Sequence, residues 1–144
     1  MLDRKVIDAL YTEAMVMADE ARSYFETLAR AGEDQLAPLA RVLLSAEALK
    51  VSTRLMQVIA WLLHQKAVGA GEIAPSTDND SSQRLGEVIE TDGETLQQLP
   101  PQARLLSLES IDLAARVRRL DDTMVEPAAS GGARALLDEL QSRL

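Results

Sequence analysis

Apolar side chains return along this chain at alternating intervals of three and four residues, and clusters of Gly and Pro interrupt the pattern. In the first segment they stand at Ile7, Leu10, Ala14, Met17, Ala21, Tyr24, Leu28 and Ala31. A sustained 3.5-residue repeat favours helices that pack as a left-handed bundle. No two-residue alternation competes with it. Val6 and Phe25 widen the stripe, whereas Asp8, Glu13, Asp19, Glu20 and Arg22 fall off it. The pattern predicts a helix from about Asp3 to Arg30, roughly 42 Å long, with Gly32 supplying the residue that commonly follows a helix end.

A second ladder runs through Leu39, Val42, Ala46, Leu49, Thr53, Met56, Ala60, Leu63 and Ala67. Pro38 suits a first helical turn, where its missing N–H costs nothing, and the helix is expected to end near Gly69 or Gly71. Its second half is apolar on nearly every side, from Leu55 and Met56 through Val58, Ile59, Ala60, Trp61, Leu62 and Leu63. Such a helix has to be covered all round. Two partner helices leave part of it open for a further segment or a second subunit, and a homodimer is the preferred reading because the chain has too few other long helices to bury it. Trp61 and Leu62 are read either as interaction residues in that seam or as core of the monomer.

The third ladder is Ala103, Leu106, Ser110, Leu113, Val117, Leu120 and Met124. Pro101 marks its start, with Leu99 placed to pack back as a hydrophobic staple. Arg116, Arg118 and Arg119 are expected in its last turns, where the helix dipole favours cations, and Pro127 is expected to stop it. The fold class is therefore all-α: an antiparallel three-helix bundle with long helices over 1–126. An acidic, partly flexible connection is expected over 69–95, with Asp78 to Ser82 mobile. Within it, Leu85, Val88 and Ile89 suggest a short helix from Ser81 or Ser82, which Gly86 and Gly93 weaken. A linker and tail fill 127–144. There Leu136, Leu137, Leu140 and Leu144 form an amphipathic set, too short to be helical unless docked on a partner or on the bundle.

Charge narrows the function. The chain of 144 residues has 23 acidic against 15 basic side chains, a net −8, which opposes contact with nucleic-acid phosphates or anionic lipid. Seven acids stand against Arg84 between Gly69 and Thr95, so that connection holds six of the eight net negative charges. The absence of Cys excludes thiolate chemistry and Cys-based zinc sites. The single His64 excludes a histidine-cluster metal site. The longest wholly apolar run, Val58–Leu63, is far short of the roughly 20 residues of a membrane span. Met1 to Ala9 mixes charges with apolar residues, unlike a signal peptide. A soluble, cytoplasmic domain is expected.

One acidic pattern carries chemistry. Glu87 and Glu90, then Glu109 and Asp112, resemble the ExxE…ExxD signature of MazG-type nucleoside triphosphate pyrophosphatases, in which facing carboxylate pairs hold Mg²⁺. Gly86, Gly93 and Pro100-Pro101 interrupt the required helices, and no Lys or Arg cluster awaits a triphosphate; the solvated-face reading is preferred. His64 is read as structural and Met15, Met17 and Met56 as core fillers. Ser52, Thr53, Ser107 and Ser110 are read as small residues for close helix approach. No phosphate loop or base-activated nucleophile is evident. The chain is read as no enzyme, without cofactor or metal.

Two blocks carry a family resemblance. Thr53 to Glu72, with Arg54, Trp61, Leu62, Leu63, His64 and Gln65 within it, resembles the hallmark of the RcdA family, regulators of CtrA degradation and their alphaproteobacterial relatives. A second block, Leu99-Pro100, Arg104, Ser110 and Arg116 to Asp121, follows in the same order. The resemblance implies a dimeric three-helix bundle with a flexible C-terminal tail and no enzyme activity. It also implies a proteolytic adaptor that joins ClpXP, through a priming response regulator, to cell-cycle substrates or further adaptors, with transient placement at a cell pole. A helical interaction module without a protease link is the alternative.

Overall fold

The computed structural model describes residues 3–31, 37–74 and 84–143. Its four helices are α1 (Arg4–Ala31), α2 (Pro38–Gly69), α3 (Gly93–Gln98) and α4 (Pro101–Ser142), with no strand among the described residues. Local chemistry explains their ends. The Asp3 carboxylate accepts the Lys5 N–H at the start of α1 (3.0 Å), and Pro38 and Pro101 occupy first turns. Past α2, Gly71 takes φ +77°, a left-handed conformation that glycine adopts without a Cβ clash. Asp92 caps α3 by accepting the Thr95 N–H (2.7 Å).

The all-α bundle stands as expected, with one difference in direction. Lys66 near the end of α2 meets Asp8 near the start of α1 (3.4 Å), so α1 and α2 are antiparallel. Arg116 of α4 pairs with Glu13 while Tyr24 lies against Ala103, so α1 and α4 are antiparallel too. α2 and α4 therefore run the same way, with Glu47 beside Ser107 and Trp61 beside Asp121. A parallel pair needs a return path. Residues 84–92 provide it as an extended strap that climbs back along the α2–α4 seam.

The strap corrects the helix expected from Ser81 or Ser82: Leu85, Val88 and Ile89 are not helical, and the short helix lies further on, over Gly93–Gln98. Its backbone polar groups find side chains instead of one another. Arg118 donates to the Leu85 and Gly86 carbonyls (2.7 and 2.6 Å), Gln57 to Glu87 (2.9 Å) and Arg54 to Ile89 (3.0 Å). The expected mobility of Asp78 to Ser82, and the cap at Gly32, lie outside the described residues.

Pro127 does not stop α4, which continues through Gly131 and Gly132 to Ser142. A proline inside a helix removes one hydrogen bond, here to the Thr123 carbonyl, and its cost is outweighed where the remaining bonds carry on. Arg116, Arg118 and Arg119 thus sit mid-helix and owe nothing to a C-terminal dipole.

The core gathers Ile7, Leu10, Ala14, Met17 and Ala21 of α1, Val51, Leu55, Val58, Trp61 and Leu62 of α2, and Leu106, Leu113 and Val117 of α4, with Leu85 of the strap. A smaller cluster of Leu44, Leu99 and Ala103 under Tyr24 and Phe25 closes the other end. Each fully buried Leu or Val side chain contributes about 1.5–3 kcal/mol.

Candidate functional site: the outer face of helix α2

The first and third ladders face the core, save Met124 at the end of the third, which is 38% exposed, and Ala31, whose side chain lies outside the described residues; the second faces away from it. Val42, Leu49, Met56 and Leu63, seven residues apart in sequence, are 63%, 69%, 70% and 48% exposed, and Leu39, Ala46, Thr53 and Ala60 lie exposed among them. The inward face of α2 is a different stripe: Leu44, Glu47, Val51, Arg54, Val58 and Trp61, with Leu55 and Leu62 beside it. Both stripes keep the three–four spacing. The expectation that the Leu39–Ala67 ladder is the core-facing one is corrected here, and the reason is two charged residues. Glu47 and Arg54 are fully buried, so the true inner stripe is interrupted by charge in the sequence.

What makes their burial tolerable lies far along the chain. Arg54 donates Nε–H to the Ile89 carbonyl, Nη1–H to Ser110 Oγ (2.7 Å) and Nη2–H to Thr91 Oγ1 (3.1 Å). Thr91 and Ser107 in turn donate to the Glu47 carboxylate, each at 2.8 Å. Burial pulls the Arg54 guanidinium below its usual pKa, and the Glu47 charge counters that. A second node forms at the other end of the strap. Asp121 is buried and accepts the Trp61 indole N–H (3.1 Å), the Leu85 amide (3.1 Å) and Arg84 Nε–H (3.3 Å). Arg104 closes the start of α4 by donating to the carbonyls of Leu96, Gln97 and Leu99. These nodes fix the strap and hold α2 so that its apolar ridge points outward.

The sequence-derived interaction residues separate accordingly. Trp61 and Leu62 are 4% and 0% exposed, so they pack within the monomer, the second of the two readings left open for them. Leu140 is exposed on α4; the side chains of Leu136 and Leu137, and residue Leu144, lie outside the described residues. The four carboxylates of the pyrophosphatase pattern are not brought together. Glu87 and Glu90 line a depression between the strap and α2, whereas Glu109 and Asp112 line one between α1 and α4. Among the described residues no group of three or more His, Asp or Glu is placed to hold a metal, and no helix is long and apolar enough to cross a membrane. Sequence reasoning missed Glu47 and Thr91, and singled out Asp121 only as part of the second resemblance block, with no partner. The seven-residue spacing of Glu47 and Arg54, which puts both on one helix face, was the available signal.

Residues that carried the resemblance, Arg54, Trp61, Arg104, Ser110, Arg118 and Asp121, are thus the ones that tie the strap, α2 and α4 together. A long-helix bundle cinched by an extended strap is the class of protein this arrangement defines. The family described as "Protein of unknown function (DUF1465)" matches residues 1–144, and the crystal structure of RcdA from Caulobacter crescentus CB15 superimposes with a TM-score of 0.66 at 31% identity, over 83% of this chain and 91% of that one. The chain belongs to this RcdA-like family. No curated protein sequence matches it.

Proposed function

We propose that the protein is a non-enzymatic adaptor that acts as a homodimer, holding other proteins together rather than changing their bonds. The carrying observation is the α2 ridge: a heptad-spaced apolar face, exposed along most of a 32-residue helix, on a bundle similar to RcdA. Two such ridges pairing side by side remove Val42, Leu49, Met56 and Leu63 from water in the manner of a coiled coil. The partners are proteins: ClpX with a priming response regulator on one side, and a cell-cycle substrate or secondary adaptor on the other. The site of action is the cytoplasm, with transient recruitment to a cell pole.

In this reading the segment after Glu126, carrying Leu136, Leu137, Leu140 and Leu144, is the handle for cargo. Tethering raises the local concentration of cargo at the protease without chemistry in this chain. Truncation after Glu126 is the test, measured as substrate degradation by ClpXP reconstituted with the priming regulator. The truncated chain is expected to keep its helical melt and lose stimulation. Full stimulation by the truncated chain overturns the assignment of the tail. Failure of the intact chain to recover ClpX or its priming regulator in a pull-down overturns the protease link and favours an interaction module of another kind.

A further inference from the structure

The groove between α1 and α4 lies on a different part of the bundle from the α2 ridge. Met17 forms its floor, and Val16 and Leu108 stand on its two walls, 53% and 45% exposed. Its volume is about 570 Å³. Along the rim run Glu13 and Glu20 from α1, and Glu109 and Asp112 from α4, against the one cation Arg116. That cation is already taken: it donates to both Glu13 and Asp112. Glu20 and Glu109 have no ion-pair or hydrogen-bond partner among the described residues. The groove is thus an apolar trough with uncompensated negative charge on both banks.

We infer that this groove docks a basic amphipathic helical segment of another protein. Two helices side by side leave a channel that a third helix fills ridge-into-groove. Its α4 wall, from Leu108 to Arg116 with exposed Leu105 one turn before, covers about three turns of helix. Leu or Ile at i, i+3 and i+4 on the incoming segment meets Val16 and Leu108. Lys or Arg flanking that stripe meets Glu20 and Glu109. A second copy of this chain does not supply such a segment. Of its basic cluster, Arg116 and Arg118 are committed to Glu13 and to the strap carbonyls, which leaves Arg119 alone exposed there, and the net charge of −8 opposes a groove of the same sign. The inference does not depend on the α2 dimer or on the protease link.

The test uses the full chain and a fluorescein-labelled synthetic helix with Leu on one face and Lys elsewhere, followed by anisotropy. A counterpart with Glu in place of Lys is the charge control. The Lys peptide is expected to bind saturably, to weaken as salt rises, and to bind at least roughly tenfold more tightly than the Glu peptide. Charge reversal by Glu20→Lys with Glu109→Lys, and separately Leu108→Ser, is expected to weaken it by about tenfold or more. Glu87→Lys with Glu90→Lys, beside the strap, is expected to leave binding within about twofold. Circular dichroism establishes that each variant is folded. Absence of saturable binding, equal affinity for the Glu peptide, or equal effects of the two double reversals overturns the inference. A fall in the light-scattering mass of the Glu20→Lys/Glu109→Lys protein overturns it in favour of a second copy as occupant.

Discussion

Arg54 and Glu47 set the behaviour of this protein at the scale of single residues. Neither touches water, and each is satisfied by groups contributed from the strap and from α4. Removing one member of a buried, hydrogen-bonded pair strands the other, which typically costs about 3–5 kcal/mol. Arg54→Ala is therefore expected to lower the unfolding free energy by that order, read from the slope and midpoint of a urea titration. The double variant with Glu47→Ala should lose less than the sum of the two single effects, because the residues share partners. Additive losses show that the two side chains act independently. Asp92 offers a pH-dependent counterpart. Its hydrogen bonds from the Thr95 side chain and amide hold its carboxyl below the usual range. A carboxylate with a depressed folded-state pKa adds stability that is present above its unfolded value of about 3.9 and lost as pH falls through the lower folded value. Protection of the Thr95 amide against exchange, taken relative to its intrinsic rate, should fall in that acid window, and Asp92→Ala should abolish that fall.

At the scale of elements, α2 decides the most. It carries two stripes with the same spacing, one outward and wholly uncharged, one inward and broken by Glu47 and Arg54. Periodicity alone cannot rank them. Hydrophobicity ranks them wrongly, because the charges that spoil the inner stripe are satisfied by Thr91, Ser107 and Ser110, 37 to 60 positions away from their partners. The ladders of α1 and α4 carry no such ambiguity and read correctly from the chain as far as Leu28 and Leu120, whereas Met124 is exposed. Two substitutions separate the faces of α2. Met56→Glu, on the ridge, is expected to halve the light-scattering mass with little change in helical content. Trp61→Ala is expected to cost about 3–5 kcal/mol as a buried aromatic is lost, with the mass of the folded fraction unchanged. The opposite pattern, a monomeric Trp61→Ala and an unaffected Met56→Glu, removes the ridge as the dimer seam. The strap was illegible for a related reason: its residues favour no regular structure, and its conformation is dictated by donors on Gln57, Arg54 and Arg118 rather than by its own pattern.

The whole molecule presents distinct faces: an apolar ridge on α2, an acid-banked groove between α1 and α4, and a long α4 that runs to Ser142. Truncation after Glu126 and the charge reversal of the groove test two of these faces separately, and the proposed dimer stands or falls apart from both. The sequence by itself determined the helical class, the starts of α2 and α4 at Pro38 and Pro101, the end of α2 at Gly69, and the inward faces of α1 and α4. Those follow from local rules of spacing and capping that act within a few turns. Only the tertiary structure decided which face of α2 is inside, that α2 and α4 run parallel, and that Glu109 and Asp112 part company with Glu87 and Glu90. The first two depend on burying Glu47, Arg54 and Asp121 against partners distant in the chain, and the third follows from where those contacts set the strap; such a match is fixed by three-dimensional proximity, which no local period encodes.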